Sequence, residues 1–69
     1  MSEKEFLMHV GMQFKLERTR QRLTQRELAE KAKLWQQTIN SVEKGLEGTR
    51  VSTLHRVAAA LGKSLKDIL

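Results

Sequence analysis

Leu23-Thr24-Gln25-Arg26-Glu27-Leu28 is the stretch that decides the fold. Thr24 followed three residues later by Glu27 forms a capping box, each side chain reaching the other residue's backbone N–H. Leu23 and Leu28 stand where a hydrophobic staple closes over that box. A helix therefore begins at Gln25, buries Leu28, Ala29 and Ala32, and stops near Lys33. The next apolar pattern, Ile39 and Val42, belongs to a helix over about Gln36 to Glu43, with Gly45 at its expected left-handed stop. Only Lys33-Leu34-Trp35 separates the two helices. So short a connection makes them cross steeply, as a helix-turn-helix pair.

Outward from this pair the period stays helical. Before it, Phe6, Val10 and Phe14 repeat every four residues beside Leu7, predicting an apolar face on a helix from about Glu3 to Gln21. After it, Lys44 to Val51 reads as a loop with Gly45 and Gly48. Ser52 is a candidate N-cap for a helix carrying Leu54, Val57, Ala58 and Leu61, stopped by Gly62. Ser64 with Asp67 caps a last short turn ending in Ile68 and Leu69. No segment alternates with period two over a useful length, so no strand is expected. The fold class is all-α: a five-helix bundle over residues 1–69 with a central helix-turn-helix, forming one domain.

The 69 residues bound the chemistry. For a chain this size, roughly 11,600 Å² of unfolded surface collapses to about 4,500 Å², leaving no room for a deep cleft. Without cysteine, disulfides, thiolate metal sites and thiol nucleophiles are excluded, and a reducing compartment such as the cytoplasm is expected. The absence of proline suits a mostly helical chain. Val57 to Leu61, the longest apolar run, is far too short to span a membrane. Glu3 and Glu5 stand where a signal peptide would be basic. His9, His55 and the single Asp67 lie too scattered for a metal site or a catalytic triad, so we expect no enzyme activity, metal or cofactor. The formal net charge of +5 points to a polyanion, with nucleic acid ahead of membrane.

The polar side of the third helix sharpens this. Gln36, Gln37, Asn40, Ser41 and Lys44 fall on one stripe, opposite Ile39 and Val42. A carboxamide offers a donor and an acceptor together, matching adenine N6 and N7 in the major groove. Two readings fit the stripe alone: base readout, or an ordinary solvated face. The short turn, the capping box and the net charge favour readout.

From Leu23 to Lys31, through Gln36-Gln37-Thr38-Ile39 and on to Glu43-Lys44-Gly45, the sequence resembles the Cro/phage-repressor (XRE-type) helix-turn-helix family. The resemblance covers about Val10 to Leu69 and implies a lambda-repressor-like DNA-binding domain. It implies base-reading roles for Gln36, Gln37 and Ser41, with Asn40 beside them on the same face. It places Gln25 at a phosphate contact, with Thr38, Lys44 and Arg50 as further phosphate candidates. Arg18 and Glu43 match a pair that in several members ties the first helix to the third. The function implied is a sequence-specific double-stranded DNA-binding regulator, a repressor acting as a homodimer on a two-fold operator. An antitoxin that binds a toxin, and a protein-interaction adaptor, remain open alternatives.

Three positions depart from the family pattern. Lys33 stands where glycine is usual and must enter the left-handed region. Trp35 replaces the usual Ser or Thr cap of the recognition helix. Its indole either seals the edge of the turn or contacts sugar or a thymine methyl. Lys44 replaces a common Asn, adding a charge within reach of phosphate. Arg20, Arg22, Arg26 and Lys31 are further basic candidates. Separately, Met8, Met12 and Leu16 form a second apolar stripe on the first helix, about 160° from Phe14. It is either a surface for a protein partner or a few tolerated exposed residues.

Overall fold

Four of the five helices stop in the same way, and those stops set the course of the chain. A computed structural model describes residues Met1–Leu69, with α1 at Glu3–Arg20, α2 at Gln25–Ala32, α3 at Gln36–Lys44, α4 at Val51–Ala60 and α5 at Leu65–Ile68. After α1 to α4 come Arg22, Lys33, Gly45 and Gly62, at φ of 60°, 58°, 67° and 73°. At each stop two backbone bonds close a Schellman motif. Leu23 N–H bonds to Arg18 O, Leu34 to Ala29, Leu46 to Ser41, and Lys63 to Ala58, all within 3.1 Å. Leu23 and Leu34 then turn inward against the core. The left-handed stop at Gly45 was legible in its glycine; that at Arg22 was not.

The helix starts divide into capped and uncapped. Ser2, Thr24 and Ser64 form capping boxes with Glu5, Glu27 and Asp67. The backbone N–H and hydroxyl of Thr24 hold the Glu27 carboxyl below its ordinary range, and the Ser64 hydroxyl and N–H do the same for Asp67. Trp35 and Arg50, at the starts of α3 and α4, give no side-chain cap. Ser52 is therefore not the cap of α4. The Thr49 hydroxyl bonds Leu46 O at 2.8 Å and closes the loop early. The helix consequently starts from the carbonyl of Arg50, which accepts from Thr53 and Leu54 N–H.

Packing brings α1 against α3, α2 against α3 and α4, and α5 against α1 and α4. Val10, Phe14, Leu28, Ile39, Val42, Val57 and Leu61 form the centre of the core. The exposed area of 4859 Å² is close to that expected for this size. Gln21 Nε2 bonds Leu61 O at 2.8 Å, tying the end of α1 to the end of α4. The same amide bonds Glu17 at 2.9 Å and, with Arg20, lowers that carboxyl's pKa.

The apolar face of α1 is the expected one except at Phe6. Phe6 is 42% exposed, whereas Leu7, Val10 and Phe14 are buried. A row of i, i+4 residues drifts about 40° per step, so Phe6 lies about 80° from Phe14 while Leu7 lies about 20° away. Gly11 completes the buried side. A Cβ there would collide with Val42 O and lie 2.7 Å from Glu43 O. Gly45 has the same property against the backbone of Leu7 and Met8. Two glycines, one on each helix, let α1 and the end of α3 touch backbone to backbone.

Lys33 sits in the left-handed region without glycine's freedom, so Lys33→Gly is expected to stabilise the protein by about 1 kcal/mol. Gly45→Ala, which adds a clash to the same backbone strain, is expected to destabilise it by more than that. Urea unfolding of the two variants measures both; a destabilised Lys33→Gly would show that Lys33 makes a compensating contact.

Candidate nucleic-acid interface

Thr24's capping box starts α2 at Gln25, and the three-residue connection then delivers Trp35 and Gln36 to the start of α3. Ile39 and Val42 are buried, which turns the opposite side of α3 outward. Gln36, Gln37 and Lys44 are exposed, and Asn40, Ser41 and Thr38 are half-buried. These residues do not share a single groove. Gln36, Gln37 and Asn40 line a concavity with Gln25 and Trp35. Thr38 and Ser41 line a second on the other flank of α3, together with Arg50. Gln37 and Lys44 lie on the ridge side between the two flanks, by their helical angles. Sequence spacing grouped these residues correctly as one outward arc. It missed that the loop carrying Gly48 and Arg50 walls the Thr38 and Ser41 flank into a concavity of its own.

Behind the arc lies an ion pair. Arg18 Nε and Nη2 meet Glu43 Oε2 and Oε1 at 2.6 and 3.0 Å. The side chains are only 11% and 4% exposed. Arg18 Nη1 also donates to Leu23 O at 2.8 Å, which holds the turn before α2. Gln25 Nε2 donates to Glu43 Oε1 at 3.1 Å and reaches Asn40 Oδ1 at 3.4 Å. No buried side-chain polar atom lacks a partner. One carboxylate thus links α1, α2 and α3, and presents Gln25 and Asn40 side by side.

Two free cations belong to this region, Lys44 on α3 and Arg50 in the lining of the second concavity. No ion pair reaches Lys31, Lys44 or Arg50, while Arg20 pairs with Glu17 and Arg26 with Glu30 across the surface. Arg50 stands at the uncapped start of α4, where first-turn N–H groups and a guanidinium together suit an anion. Trp35 is 79% exposed. It does not seal the turn, because Leu34 already turns inward there. No cluster of His, Cys, Asp or Glu is arranged to hold a metal ion, and no helix is long and apolar enough to cross a membrane.

Two helices joined by three residues, an outward arc of amides, and Lys44 and Arg50 beside it are the elements of a DNA reader. A helix-turn-helix family model of the Cro/phage-repressor type matches residues 14–68. The chain belongs to that family. As a member of the helix-turn-helix family it is a DNA-binding regulator in class, and the family is not an enzymatic one. No curated protein sequence matches the chain. The family match begins at Phe14, so the Met8, Met12 and Leu16 stripe lies mostly before it. Those three side chains are 52–55% exposed.

Removing one member of the buried pair strands the other's charge, so Glu43→Ala is expected to cost about 3–5 kcal/mol. The double variant Arg18→Met, Glu43→Leu is expected to lose much less, because it leaves no buried charge behind. Denaturant titration of the single and double variants tests this ordering; equal losses would show that the pair is held by packing rather than by charge.

Proposed function

We propose that the protein is a sequence-specific double-stranded DNA-binding repressor, working in the cytoplasm as a homodimer on a two-fold operator. The observation that carries this reading is the amide arc of α3, whose readers are uncharged. Gln36, Gln37, Asn40 and Ser41 pair with base edges in the major groove, the carboxamides favouring adenine N6 and N7. Gln25, Thr38, Lys44 and Arg50 contact phosphates on either side and set the register. Arg18 and Glu43 touch no DNA; they hold Gln25 and Asn40 in place. No step of bond making or breaking is needed, so the protein is not an enzyme.

One module of this size contacts few base pairs, and useful discrimination needs two. Two copies would place their α3 helices in successive major grooves, about 34 Å apart. Repression follows when the occupied site overlaps a promoter. The exposed Met8, Met12 and Leu16 favour a protein contact as well, and methionine adapts readily to a partner surface. A second copy of the chain fits that stripe, with Glu5 near one end of the same side of α1 and Lys15 near the other. Antiparallel pairing sets acid against base.

Selection from a random duplex library, with titration of the winner at two salt concentrations, tests the reading. A two-fold symmetric motif is expected, with about 0.9 added to the log–log salt slope for each phosphate contact. Gln37→Ala is expected to weaken the selected site by about 1–3 kcal/mol and leave random duplex binding unchanged. Equal loss on both would remove Gln37 from base reading. For the stripe, Met8→Glu with Met12→Glu is expected to lower the sedimentation mass toward that of one chain; an unchanged mass would take α1 out of the contact.

A further inference from the structure

Trp35 is the largest side chain whose position the fold does not explain. It is the only tryptophan, it is 79% exposed, and it caps nothing. A serine in its place would stabilise the start of α3 by satisfying a first-turn N–H. The indole instead stands at the rim of the concavity lined by Gln25, Gln36, Gln37 and Asn40. Every other side chain lining that concavity is a carboxamide, so Trp35 supplies its apolar surface.

Carboxamides that pair with adenine leave the complementary thymine unread. In the major groove that thymine presents one feature a polar side chain cannot use, its C5 methyl. An indole at the N-cap of the reading helix is suited to cover it, and covering it returns the exposed ring to an apolar contact.

We propose that Trp35 is a specificity-determining residue that reads a thymine C5 methyl at the edge of the sequence contacted by Gln36 and Gln37. The proposal rests on α3 being the reading helix. It goes further in assigning thymine, rather than sugar or phosphate, to the residue that departs from the family pattern.

The test uses the full chain, the duplex it selects from a random library, and copies of that duplex with deoxyuridine replacing one thymine at a time. At one position deoxyuridine is expected to weaken wild-type binding about fourfold, the worth of one buried methyl. Trp35→Ser is expected to bind the selected duplex about tenfold more weakly or worse, and to become indifferent to deoxyuridine at that position. The same variant is expected to melt about 4–8 °C higher, because it regains the cap. Lost binding with raised stability separates contact from unfolding. Trp35→Phe retains an apolar ring and is expected to keep the deoxyuridine sensitivity. As the single tryptophan, Trp35 also reports directly: its emission is expected to shift to shorter wavelength on the selected duplex.

Unchanged affinity of Trp35→Ser, or equal loss on selected and random duplexes, overturns the assignment. So does tolerance of deoxyuridine at every position. In each case Gln37→Ala still discriminates and the reading of α3 stands. Failure of the wild-type chain to select any duplex overturns both.

Discussion

Glu43 is the carboxylate on which the arrangement of the other parts depends. It is almost fully buried, met by two guanidinium nitrogens of Arg18 and by the amide of Gln25. Burying two charges costs nearly as much as pairing them returns, so the pair adds little net stability against an apolar alternative. What it supplies is geometry. Arg18 belongs to α1, Gln25 opens α2 and Glu43 closes α3, so one contact sets the relative position of three helices. Gly11 and Gly45 make it possible by letting α1 approach the end of α3 at backbone distance. A methyl group at either glycine would push the two helices apart and lengthen every bond of the network.

Rigidity elsewhere comes from short connections. Each of the first four helices ends in a left-handed residue with paired backbone bonds, and two of these stops are followed by a leucine turned into the core. The chain therefore turns within three or four residues at three of the four connections, and within six between α3 and α4, with carbonyls of each last turn paired. The outward face of α3, built on such turns, is held in place by the fold itself. Binding then spends little on ordering the protein.

Much of this was legible in the sequence because the signals are local. The capping boxes at Thr24 and Ser64, the apolar sides of α2 to α4 and the stops at Gly45 and Gly62 each depend on residues at most four apart. The Ser2–Glu5 box carries the same local pattern and could have been read. Phe6 misled because an i, i+4 row rotates away from the core along a long helix. The close approach at Gly11, the split of the α3 arc into two concavities and the early start of α4 depend on elements far apart in sequence. Arg22 hid a helix stop because nothing about arginine announces positive φ. Arg18 and Glu43 were found through the family pattern, since 25 residues of separation leave no local trace of a bond.

Two local costs of the fold fall side by side, although Arg22 carries the same strain before α2 and Arg50 omits a cap at α4. Lys33 carries backbone strain and Trp35 omits a cap, each worth about 1 kcal/mol. Both lie in the three-residue connection that delivers α3, next to Gln36 and Gln37. A domain of this length is stable by only about 3–10 kcal/mol in total. Two such concessions are therefore large, and a glycine and a serine would remove both. Nothing in the packing requires either side chain, since both point to solvent. Local cost without local structural return is expected where a surface serves a ligand rather than the fold. The division of labour among charges agrees. The buried pair is neutral overall and orients, and in the proposed reading the free lysines and arginines attract while discrimination falls to uncharged side chains beside this connection.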